Sequence, residues 1–420
     1  MKVLVLNAGS ASLKFAVIDA DAAQTRYTDG RKLLTGAVDG IGAAAVFACY
    51  DGSGVELGRQ DHASARSHED AARLLLDWID SGRGSASGIA RTFDLDLVAH
   101  RIVHGGARFT EPVLIDEKVI DAIDELRDLA PLHGSGSLGG VRAVAASAFA
   151  AGKPMIAVFD TAFHRTIPEH AALYPIPLDL SRKHQIRRYG FHGISHQAMM
   201  LRYADLTGAA VEDVNIITLH LEGGCSITAV RGGRSMDTSM GLTPLEGLMM
   251  STRCGDIDPA LVGFLARKEG LPVERVEQLL NRDSGLLGVS GLSPDTRILA
   301  QRIATSERIR LALEMFCYRI RKYIGAYLAA MGGTASAIVF GGGIGENTPL
   351  VRAMVCEGLE WCGVSFDQER NREMVDREGR ITYDNSRLHV YVIPSEEELM
   401  IAHEAVRCAQ QSAMAPGRPL

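Results

Sequence analysis

Three segments of the sequence combine glycine with small polar residues beside a short apolar strand. They are Asn7 to Lys14, Glu222 to Ser226 and Gly341 to Asn347. Backbone N–H groups bind phosphate well where glycine lets the chain come close at positive φ. One such segment is more often an ordinary turn, but three in one chain favour nucleotide binding. The common nucleotide signatures are missing, because the one Gly-Lys pair, Gly152-Lys153, lacks Walker A spacing and the third segment lacks Gly-x-Gly-x-x-Gly.

Arginine, aspartate and histidine side chains stand at the ends of predicted strands, where open α/β sheets bind their ligands. Arg101 and Arg253 can each hold a phosphoryl group or a carboxylate through a planar guanidinium, although a surface ion pair is an equally good interpretation of either. Asp160 directly follows an apolar strand. His192 lies in a segment of four residues, Gly190 to Gly193, that begins and ends with glycine. For His192 taken alone, a hydrogen-bonded structural role is the more common one.

Other catalytic chemistries fit the sequence poorly. His192 and His196 have the i,i+4 spacing of a zinc site, but no glutamate follows the first histidine. The serines of the first glycine segment lack the Gly-x-Ser-x-Gly arrangement of a hydrolase. The acidic run Glu396-Glu397-Glu398 is either the first turn of a helix, favoured by the helix dipole, or the source of one carboxylate for Mg²⁺.

The elements that must position these residues follow one repeated design. An apolar strand over Val3–Leu6, a polar turn and a second strand over Lys14–Ile18 predict a β-hairpin. The same design recurs over Asn215–His220 and Leu221–Val230, about 210 residues later. Two such hairpins predict a duplicated domain with a cleft between the copies, although the pattern alone leaves coincidence equally open.

Periodicity and capping residues predict the remaining elements. Strands are expected over Leu95–Ala99, Met155–Phe159, Ala337–Phe340 and Val390–Ile393; helices over Val119–Leu129, Ser306–Met331 and from Glu397 onward; and loops over Ser81–Gly88 and Gly341–Asn347.

The composition limits the classes of function. The chain has 420 residues, enough for two or three domains, and its formal charge is −7 with 23% charged residues, which argues against a nucleic-acid or membrane-surface binder. The 46% hydrophobic content contains no apolar run of about 18 residues, so a cytoplasmic protein is expected. Seven cysteines without Cys-x-x-Cys spacing predict neither a disulfide framework nor a zinc knuckle.

Seven long motifs together resemble the acetate kinase family in order and spacing. They are Asn7–Lys14, His100–Gly106, Phe159–His164, Arg188–His196, Asp237–Gly247, Gly343–Asn347 and Ile393–Leu399, and the match extends from Asn7 to about Ala402. The resemblance implies an α/β protein of the sugar kinase, Hsp70 and actin superfamily, with two duplicated ribonuclease-H-like domains and an interdomain cleft. The expected domains are residues 1–154, completed by a C-terminal helix at about 395–412, and residues 155–394.

The resemblance also implies a set of site residues. The expected catalytic residues are Arg101, His133, Asp160, His192 and Arg253. The acetate-binding residues are Arg101, Val103, Leu132, Phe191 and Pro244. The nucleotide-binding residues are Ser10, Ser12, Lys14, His220, Gly223, Gly224, Asp295, Thr296, Arg297, Gly343, Ile344, Gly345 and Asn347. Of these, the resemblance implies that His220, Gly223 and Gly224 contact the ADP phosphates, and that Asp295, Thr296, Arg297, Gly343, Ile344 and Asn347 contact the adenosine. The residues that position the metal are Asn7 and Glu397.

The implied activity is reversible phosphoryl transfer from ATP to acetate, giving acetyl phosphate and ADP. It implies Mg²⁺, with Mn²⁺ able to replace it, ATP or ADP as co-substrate, direct in-line transfer and a homodimer. Asp160 would orient the attacking carboxylate or hold an arginine in place. Because a carboxylate is already ionised at pH 7, Asp160 need not act as a base.

Three positions differ from the family pattern. The family has asparagine between the two glycines of the second hairpin, where this chain has Glu222-Gly223-Gly224. It also has asparagine in place of Gly134 and a larger apolar residue in place of Thr296. Kinases for propionate or butyrate, or with a donor such as pyrophosphate, therefore stay open, although Gly343–Asn347 favours a nucleoside triphosphate. A nucleotide-binding regulator without turnover is the alternative of another class.

Overall fold

A computed structural model of the protein describes residues 1–9, 11–20, 26–62, 65–126, 134–147 and 152–414. The chain forms two compact units. The first contains Met1–Ala162 and the residues from Glu396 onward, and the second contains Phe163–Ser395.

The described strands are, in chain order, β1 (Lys2–Ala8), β2 (Ser12–Asp19), β3 (Arg31–Asp39), β4 (Ala45–Asp51), β5 (Glu56–His62), β6 (Leu97–Ile102), β7 (Val113–Leu114), β8 (Met155–Phe159), β9 (Ile216–Leu221), β10 (Cys225–Arg231), β11 (Arg234–Thr238), β12 (Ala337–Gly341), β13 (Gly379–Arg380) and β14 (His389–Val392).

The described α-helices are α1 (His68–Asp80), α2 (Glu117–Glu125), α3 (Gly134–Ala145), α4 (Glu169–Ala172), α5 (Leu178–His184), α6 (Gly193–Thr207), α7 (Ala260–Glu269), α8 (Val273–Arg282), α9 (Gly285–Ser290), α10 (Thr296–Arg302), α11 (Glu307–Ala330), α12 (Gly342–Asn347), α13 (Pro349–Cys356), α14 (Gln368–Glu373) and α15 (Glu397–Met414).

The first unit is built on one sheet with the strand order β5-β4-β3-β2-β1-β6-β8-β7. The predicted hairpin is present, since β1 pairs antiparallel with β2 and Asn7 lies opposite Lys14. Strands β6 and β8 continue the sheet in parallel. The sequence analysis did not predict β3, β4 and β5, which extend the antiparallel side and pack on a core with α1.

The second unit repeats the central part of this topology. Its sheet has the order β11-β10-β9-β12-β14-β13. Strands β9, β10 and β11 are antiparallel neighbours, and β12 and β14 follow β9 in parallel. The series β3-β2-β1-β6-β8 of the first unit has the same order and directions. The predicted duplication is therefore confirmed.

The boundary between the units differs from the expected one. Residues 155–159 were assigned to the second domain, but β8 hydrogen-bonds to β6, with Arg101 opposite Val158. It is the fifth strand of the repeated series, so the first unit continues to Ala162. Helix α15 packs on β1, β6 and β8 and thus belongs to the first unit, as was expected of the C-terminal helix.

Local signals account for several element ends. At the start of α1 the Ser67 hydroxyl accepts a hydrogen bond from the Asp70 N–H, and the Asp70 carboxylate accepts one from the Ser67 N–H. This capping box satisfies two backbone N–H groups that the helix leaves without a partner. Ser306 caps α11 as predicted. The segment predicted as a loop over Gly341–Asn347 is instead the short helix α12. It begins at Gly342, whose φ of +74° only glycine adopts easily and whose added Cβ would lie 2.7 Å from the Leu221 carbonyl oxygen.

The cysteine side chains lie mainly in the protein interior. All seven are free thiols, and six of them are buried. Burial raises the pKa of Cys225, next to the second hairpin, to about 12, so it is an unreactive thiol at neutral pH. In the described part of the chain, no helix is long and apolar enough to cross a membrane.

His100 makes the first unit sensitive to acid. It lies on β6, is 2% exposed and has no hydrogen-bond partner for Nε2 among the described residues. Burial lowers its pKa from 6.5 to about 3. The unfolded chain therefore takes up this proton below pH 6.5, whereas the folded chain does so only near pH 3. Its contribution to stability is complete above pH 6.5 and is lost as the pH falls toward 3.

We expect His100→Leu to reduce this loss. Between pH 7.5 and pH 5.5, protonation of one such histidine in the unfolded chain lowers the free energy of unfolding by about 1.4 kcal/mol. The free energy of unfolding of the variant should therefore decrease by that much less over the same pH range. Urea unfolding at both pH values measures it, with the exposed His184→Leu as the control. An equal decrease in His100→Leu and the unmodified protein would contradict the assignment.

Candidate active site

In the first unit, four of the predicted residues form one chain of polar contacts. Arg101 lies on β6, and its Nη2 donates to Oδ2 of Asp160 at 2.7 Å, just after the end of β8. Its Nη1 donates to Oδ1 of Asn7 at 3.2 Å, and Nδ2 of Asn7 donates to Oε2 of Glu397 at 3.1 Å. Since parallel strands end at the same sheet edge, β1, β6 and β8 bring these groups together. Asp160 is fully buried, so the ion pair fixes the guanidinium of Arg101 firmly.

The other predicted residues of the first unit are less fully described. Ser12 begins β2, and Lys14 is an exposed residue of the same strand. Val103 follows β6 and is buried. Ser10, Leu132 and His133 lie outside the described residues, and their roles stay predictions.

In the second unit, the second hairpin brings His192 and Arg253 to one place. A Cβ atom added to Gly224 would lie 3.2 Å from Nε2 of His192 and 3.4 Å from Nη1 of Arg253. Glycine at 224 therefore lets the backbone approach both side chains closely. An added Cβ at Gly223 would meet nothing within 4 Å, so a side chain would fit there.

Arg253 is a half-buried guanidinium that has no carboxylate partner in the part of the chain that the structure describes. Among the described residues it forms no ion pair, and its Nη1 donates to the Pro244 carbonyl oxygen at 3.1 Å and contacts Sδ of Met250. Removal from water lowers the pKa of Arg253, but an arginine side chain stays charged at neutral pH. A desolvated cation with no counter-ion is suited to bind an anion such as a phosphoryl group.

His192 has a backbone conformation that non-glycine residues rarely adopt. Its φ is +56°, directly before α6. Such a conformation costs free energy and is found more often at functional sites than elsewhere. The neighbouring Gly190 has φ +75°, and an added Cβ would lie 2.5 Å from Thr238, so no other residue fits there. The glycines beside His192 therefore allow close packing of the segment that carries it.

His192 and His220 are held in the same way. Nδ1 of His192 is 2.8 Å from Oγ of Ser226, and Nδ1 of His220 is 2.6 Å from Oγ of Ser195. The two imidazole rings lie next to each other, with centroids 4.2 Å apart. Buried serines therefore bond one nitrogen of each ring, which fixes the direction of the other nitrogen, Nε2.

Glu222 introduces a negative charge among these groups. Its Oε2 lies 3.6 Å from Nε2 of His220, and its Cγ would lie 3.9 Å from a Cβ added to Gly343 on α12. The side chain is about half exposed. A carboxylate therefore stands between the hairpin and the helix that the sequence analysis assigned to phosphate and adenosine.

The segment that carries Pro244 is held by a residue that the sequence analysis quoted without a role. Nη1 of Arg188 donates to the carbonyl oxygens of Thr238 and Ser239 at 2.8 and 2.9 Å, and its Nη2 donates to Oε1 of Glu246 at 2.6 Å. These bonds fix the path of the chain on both sides of Pro244. Arg188 thereby sets the carbonyl group that Arg253 contacts.

The predicted adenosine residues of α12 are also supported by an unpredicted arginine. Arg352 is fully buried, and its Nη1 donates to the carbonyl oxygens of Gly345 and Glu346 at 2.8 and 2.7 Å. Its other nitrogens bond to Asn371 and Met374, and burial lowers its pKa to about 10. Arg352 thus satisfies carbonyl groups at the end of α12, which would otherwise lack partners.

The other predicted nucleotide residues differ in their accessibility. Gly343 is exposed, Ile344 and Asn347 are half-buried, and Gly345 is buried. Asp295 caps α10 and forms an ion pair with the exposed Arg297, with 2.7 Å between Oδ2 and Nη2. Hydrogen bonding to Arg297 lowers the pKa of Asp295. Thr296 is 2% exposed, so little of its surface is accessible to a ligand in this structure.

The residues predicted to position Mg²⁺ fit a metal that is bound mainly by phosphate. Such an ion takes only one or two carboxylates from the protein, and Glu397 offers one at the start of α15. The described residues contain no group of three or more His, Cys, Asp and Glu side chains that could hold a metal. The Asn7 amide oxygen accepts a hydrogen bond from Arg101, so Asn7 is best placed to orient Glu397.

Comparison with known proteins decides the family. A family model described as the acetokinase family matches residues 2–403. The chain belongs to the acetokinase family. Its members transfer phosphate to a carboxyl group, and the predicted class of enzyme is thereby confirmed.

Relatives within the acetokinase family match over nearly their whole length. The chain is 48% identical to the acetate kinase of Solibacter usitatus over 410 residues, which cover 97% of this chain and 98% of that protein. It resembles the crystal structure of Porphyromonas gingivalis acetate kinase with a TM-score of 0.86 and 38% identity, covering 97% and 99% of the two chains. A Francisella tularensis propionate kinase matches with a TM-score of 0.85 and 35% identity, covering 96% and 98%. These matches confirm the predicted fold class.

Sequence reasoning missed the residues that support the site. The sequence analysis assigned no role to Ser195, Ser226, Thr218, Arg188 or Arg352. A signal for Thr218 was present, because Thr218 and His220 interrupt an apolar strand at alternate positions and therefore share a face. On the neighbouring strand Ser226 lies opposite His220. A polar residue inside a fully buried strand needs a partner, and that requirement points to a network.

Proposed function

We propose that the protein is an acetate kinase that catalyses reversible transfer of the γ-phosphoryl group of ATP to acetate. The observation that carries the proposal is Arg253, a desolvated guanidinium without a carboxylate partner in the described residues, beside His192 and the Gly224 backbone. Membership of the acetokinase family and 48% identity to an acetate kinase support it.

On the acceptor side, Arg101 binds the acetate carboxylate. Asp160 and Asn7 hold its guanidinium through two hydrogen bonds, so it is oriented before the substrate arrives. Acetate is ionised at pH 7 and attacks without loss of a proton. Asp160 therefore has the second of its two expected roles, that of holding an arginine in place.

On the donor side, His192 and Arg253 stabilise the phosphoryl group during direct in-line transfer. In a loose transition state the negative charge lies largely on the equatorial oxygens, where fixed donors are most effective. Bound Mg²⁺, with Mn²⁺ able to replace it, would reduce the charge on the nucleotide phosphates, and Glu397 would hold it. The adenosine would bind at α12.

A hydroxamate assay tests the proposal and separates it from its alternatives. Acetate, propionate and butyrate are each combined with ATP, GTP and pyrophosphate, and the acyl phosphate is trapped with hydroxylamine. We expect the highest kcat/KM for the pair of acetate and ATP. We also expect no turnover after Mg²⁺ is removed by a chelator. A higher value for another pair would identify another kinase of the fold. ATP binding without turnover would identify a nucleotide-binding regulator.

Val103 is proposed to contact the acetate methyl group. We expect Val103→Ala to shift selectivity toward propionate by about 1–3 kcal/mol, because it makes room for one additional methylene group. The ratio of kcat/KM for the two acids measures the shift. The buried Val98→Ala on β6, the strand that precedes Val103, serves as a control for a general effect on packing. Unchanged selectivity in Val103→Ala would place the methyl group elsewhere.

Glu222 is proposed to weaken the binding of ATP. Its carboxylate lies beside the expected phosphate positions, and like charges at a half-exposed position repel by a modest amount. We expect Glu222→Gln to lower KM for ATP about threefold, with little change in KM for acetate. The exposed Glu274→Gln on α8 is the matched control. A raised KM for ATP would instead show that the carboxylate assists nucleotide binding.

The expected homodimer is also a proposal. No residue of α7 is buried, although the helix carries apolar side chains, and Leu261 and Phe264 are exposed. Covering these side chains with a second copy would remove apolar surface from water. Light scattering that gives twice the chain mass would agree with the proposal, and a single chain mass would contradict it. Location in the cytoplasm stays a prediction.

A further inference from the structure

A buried chain of hydrogen bonds runs from β9 to His192. Oγ1 of Thr218 lies 2.8 Å from Nδ1 of His196, and Nε2 of His196 lies 2.7 Å from Oγ of Ser226. The same Ser226 oxygen lies 2.8 Å from Nδ1 of His192. Thr218, His196 and Ser226 are all fully buried. These contacts hold His192 through groups that do not themselves contact a predicted substrate.

Each member of this chain has a limited number of protons. A hydroxyl group donates one hydrogen bond, and a neutral imidazole has one N–H group and one accepting nitrogen. Burial, together with the nearby His164 and His220, lowers the pKa of His196 well below 6.5, so its ring is neutral at pH 7. The direction of the first hydrogen bond therefore decides the direction of the other two.

The buried hydroxyl of Thr218 decides the first direction. Among the described residues, His196 is its one hydrogen-bond partner. If Nδ1 of His196 carried the proton, the Thr218 hydrogen would be buried without an acceptor, which is an unfavourable arrangement. The Thr218 hydroxyl therefore donates to Nδ1, and the proton of His196 is on Nε2.

The direction of the remaining bonds follows from this. Nε2 of His196 donates to Ser226 Oγ. Within the described residues the Ser226 hydrogen then has one acceptor left, which is Nδ1 of His192. If His192 donated from Nδ1 instead, the Ser226 hydrogen would be buried without a partner. Neutral His192 thus carries its proton on Nε2, the nitrogen that faces Gly224 and Arg253.

We propose that Thr218, His196 and Ser226 are positioning residues that fix the Nε2–H tautomer of His192. In this tautomer a neutral His192 donates a hydrogen bond toward the phosphoryl oxygens and needs no positive charge to do so. The catalytic part of this inference rests on the proposed function, whereas the tautomer is a property of the protein without substrate. The i,i+4 spacing of His192 and His196 resembles that of a zinc site in the sequence. In the structure it lets both imidazole rings hydrogen-bond to the same serine, Ser226.

Nuclear magnetic resonance of the full chain tests the tautomer directly. The protein is deuterated and labelled with ¹⁵N-histidine, and two-bond ¹H–¹⁵N correlations are recorded at pH 8.5. The His192 signals are those that disappear in His192→Gln. The expected pattern has a protonated Nε2 and an unprotonated Nδ1 for His192. A protonated Nδ1 on His192 would overturn the proposal.

Kinetics of Ser226→Ala test the role of the relay in catalysis. Without the serine hydrogen, both tautomers of His192 become accessible, so we expect kcat to fall about tenfold with less than a twofold change in KM for acetate. The same spectra should show a mixture of tautomers. Thr228→Val, which removes another buried hydroxyl of β10 that bonds to Thr238, is the matched control and should keep its kcat.

The outcomes distinguish the relay from a packing effect and from the proposed function. A fall in kcat with an unchanged His192 tautomer would show that Ser226 acts through packing and would overturn the relay. An equal fall in Thr228→Val would do the same. If the unmodified protein shows the Nε2–H tautomer but forms no acyl phosphate, the proposed function fails and the tautomer assignment stands.

Discussion

Arg253→Ala is expected to lower kcat by about 10³, because it removes a fixed positive charge from the transferring phosphoryl group. The charge forms on the equatorial oxygens mainly in the transition state, so kcat should fall far more than KM for ATP rises. Arg253 is not part of an ion pair in the described residues, and its loss therefore leaves no buried carboxylate behind. The variant should fold normally. Steady-state kinetics and circular dichroism measure the two effects.

The control for Arg253 is a second arginine-to-alanine change on the same unit. Arg310→Ala removes an exposed guanidinium on α11, whose one ion pair with a described residue is the long contact to Glu307, and the variant should keep its activity. A decrease in kcat of less than tenfold for Arg253→Ala would remove this arginine from the site. In that case His192 would be the main residue of the second unit that binds the phosphoryl group.

Arg101→Ala is expected to affect both activity and stability. It removes the proposed ligand of the acetate carboxylate, so we expect KM for acetate to rise by about 10² or more, as for the loss of a charge-assisted pair. It also removes an ion-pair partner of the fully buried Asp160 carboxylate. Removal of one member of a buried ion pair costs about 3–5 kcal/mol of unfolding free energy.

A double variant separates the two effects of Arg101. In Arg101→Met with Asp160→Asn, both charges are absent, so most of the lost stability should return while the affinity for acetate stays low. Urea unfolding and KM for acetate are measured for the single and double variants. Recovery of acetate affinity in the double variant would show that Arg101→Ala acted only through misfolding. An unchanged stability of Arg101→Ala would show that the ion pair contributes little.

The fold was largely predictable because its signals are local. Val3–Leu6 and Lys14–Ile18 are short, mainly apolar runs on either side of a polar turn, which is typical of buried strands. Ser306 with the helical apolar spacing after it predicts α11 to within one residue. The repetition of one hairpin also predicted the duplication. The strands β3 to β5 were missed because their sequences alternate weakly, and β8 was placed in the wrong domain because strand pairing is not local information.

The residue types of the candidate site were predictable from the sequence, but the hydrogen bonds and ion pairs between them were not. The sequence indicated arginine, histidine and aspartate as site residues because such groups suit phosphoryl transfer. It expected them at strand ends, which holds for Asp160 after β8, whereas His192 directly precedes helix α6. It left Asp160 with two roles, and the ion pair with Arg101 favours one of them. Ser226 was missed because its function depends on two histidines that approach it from another element.

The sequence by itself therefore determined the fold class, the repeated hairpin, the family resemblance and the chemical types of the site residues, since each follows from residue identity and spacing along the chain. The tertiary structure decided which groups are buried together. It paired Arg101 with Asp160, left Arg253 without a carboxylate in the described residues, and placed Thr218, His196 and Ser226 in one row behind His192. Burial makes each unpaired proton or charge costly, so these contacts determine the direction of every hydrogen bond in the row.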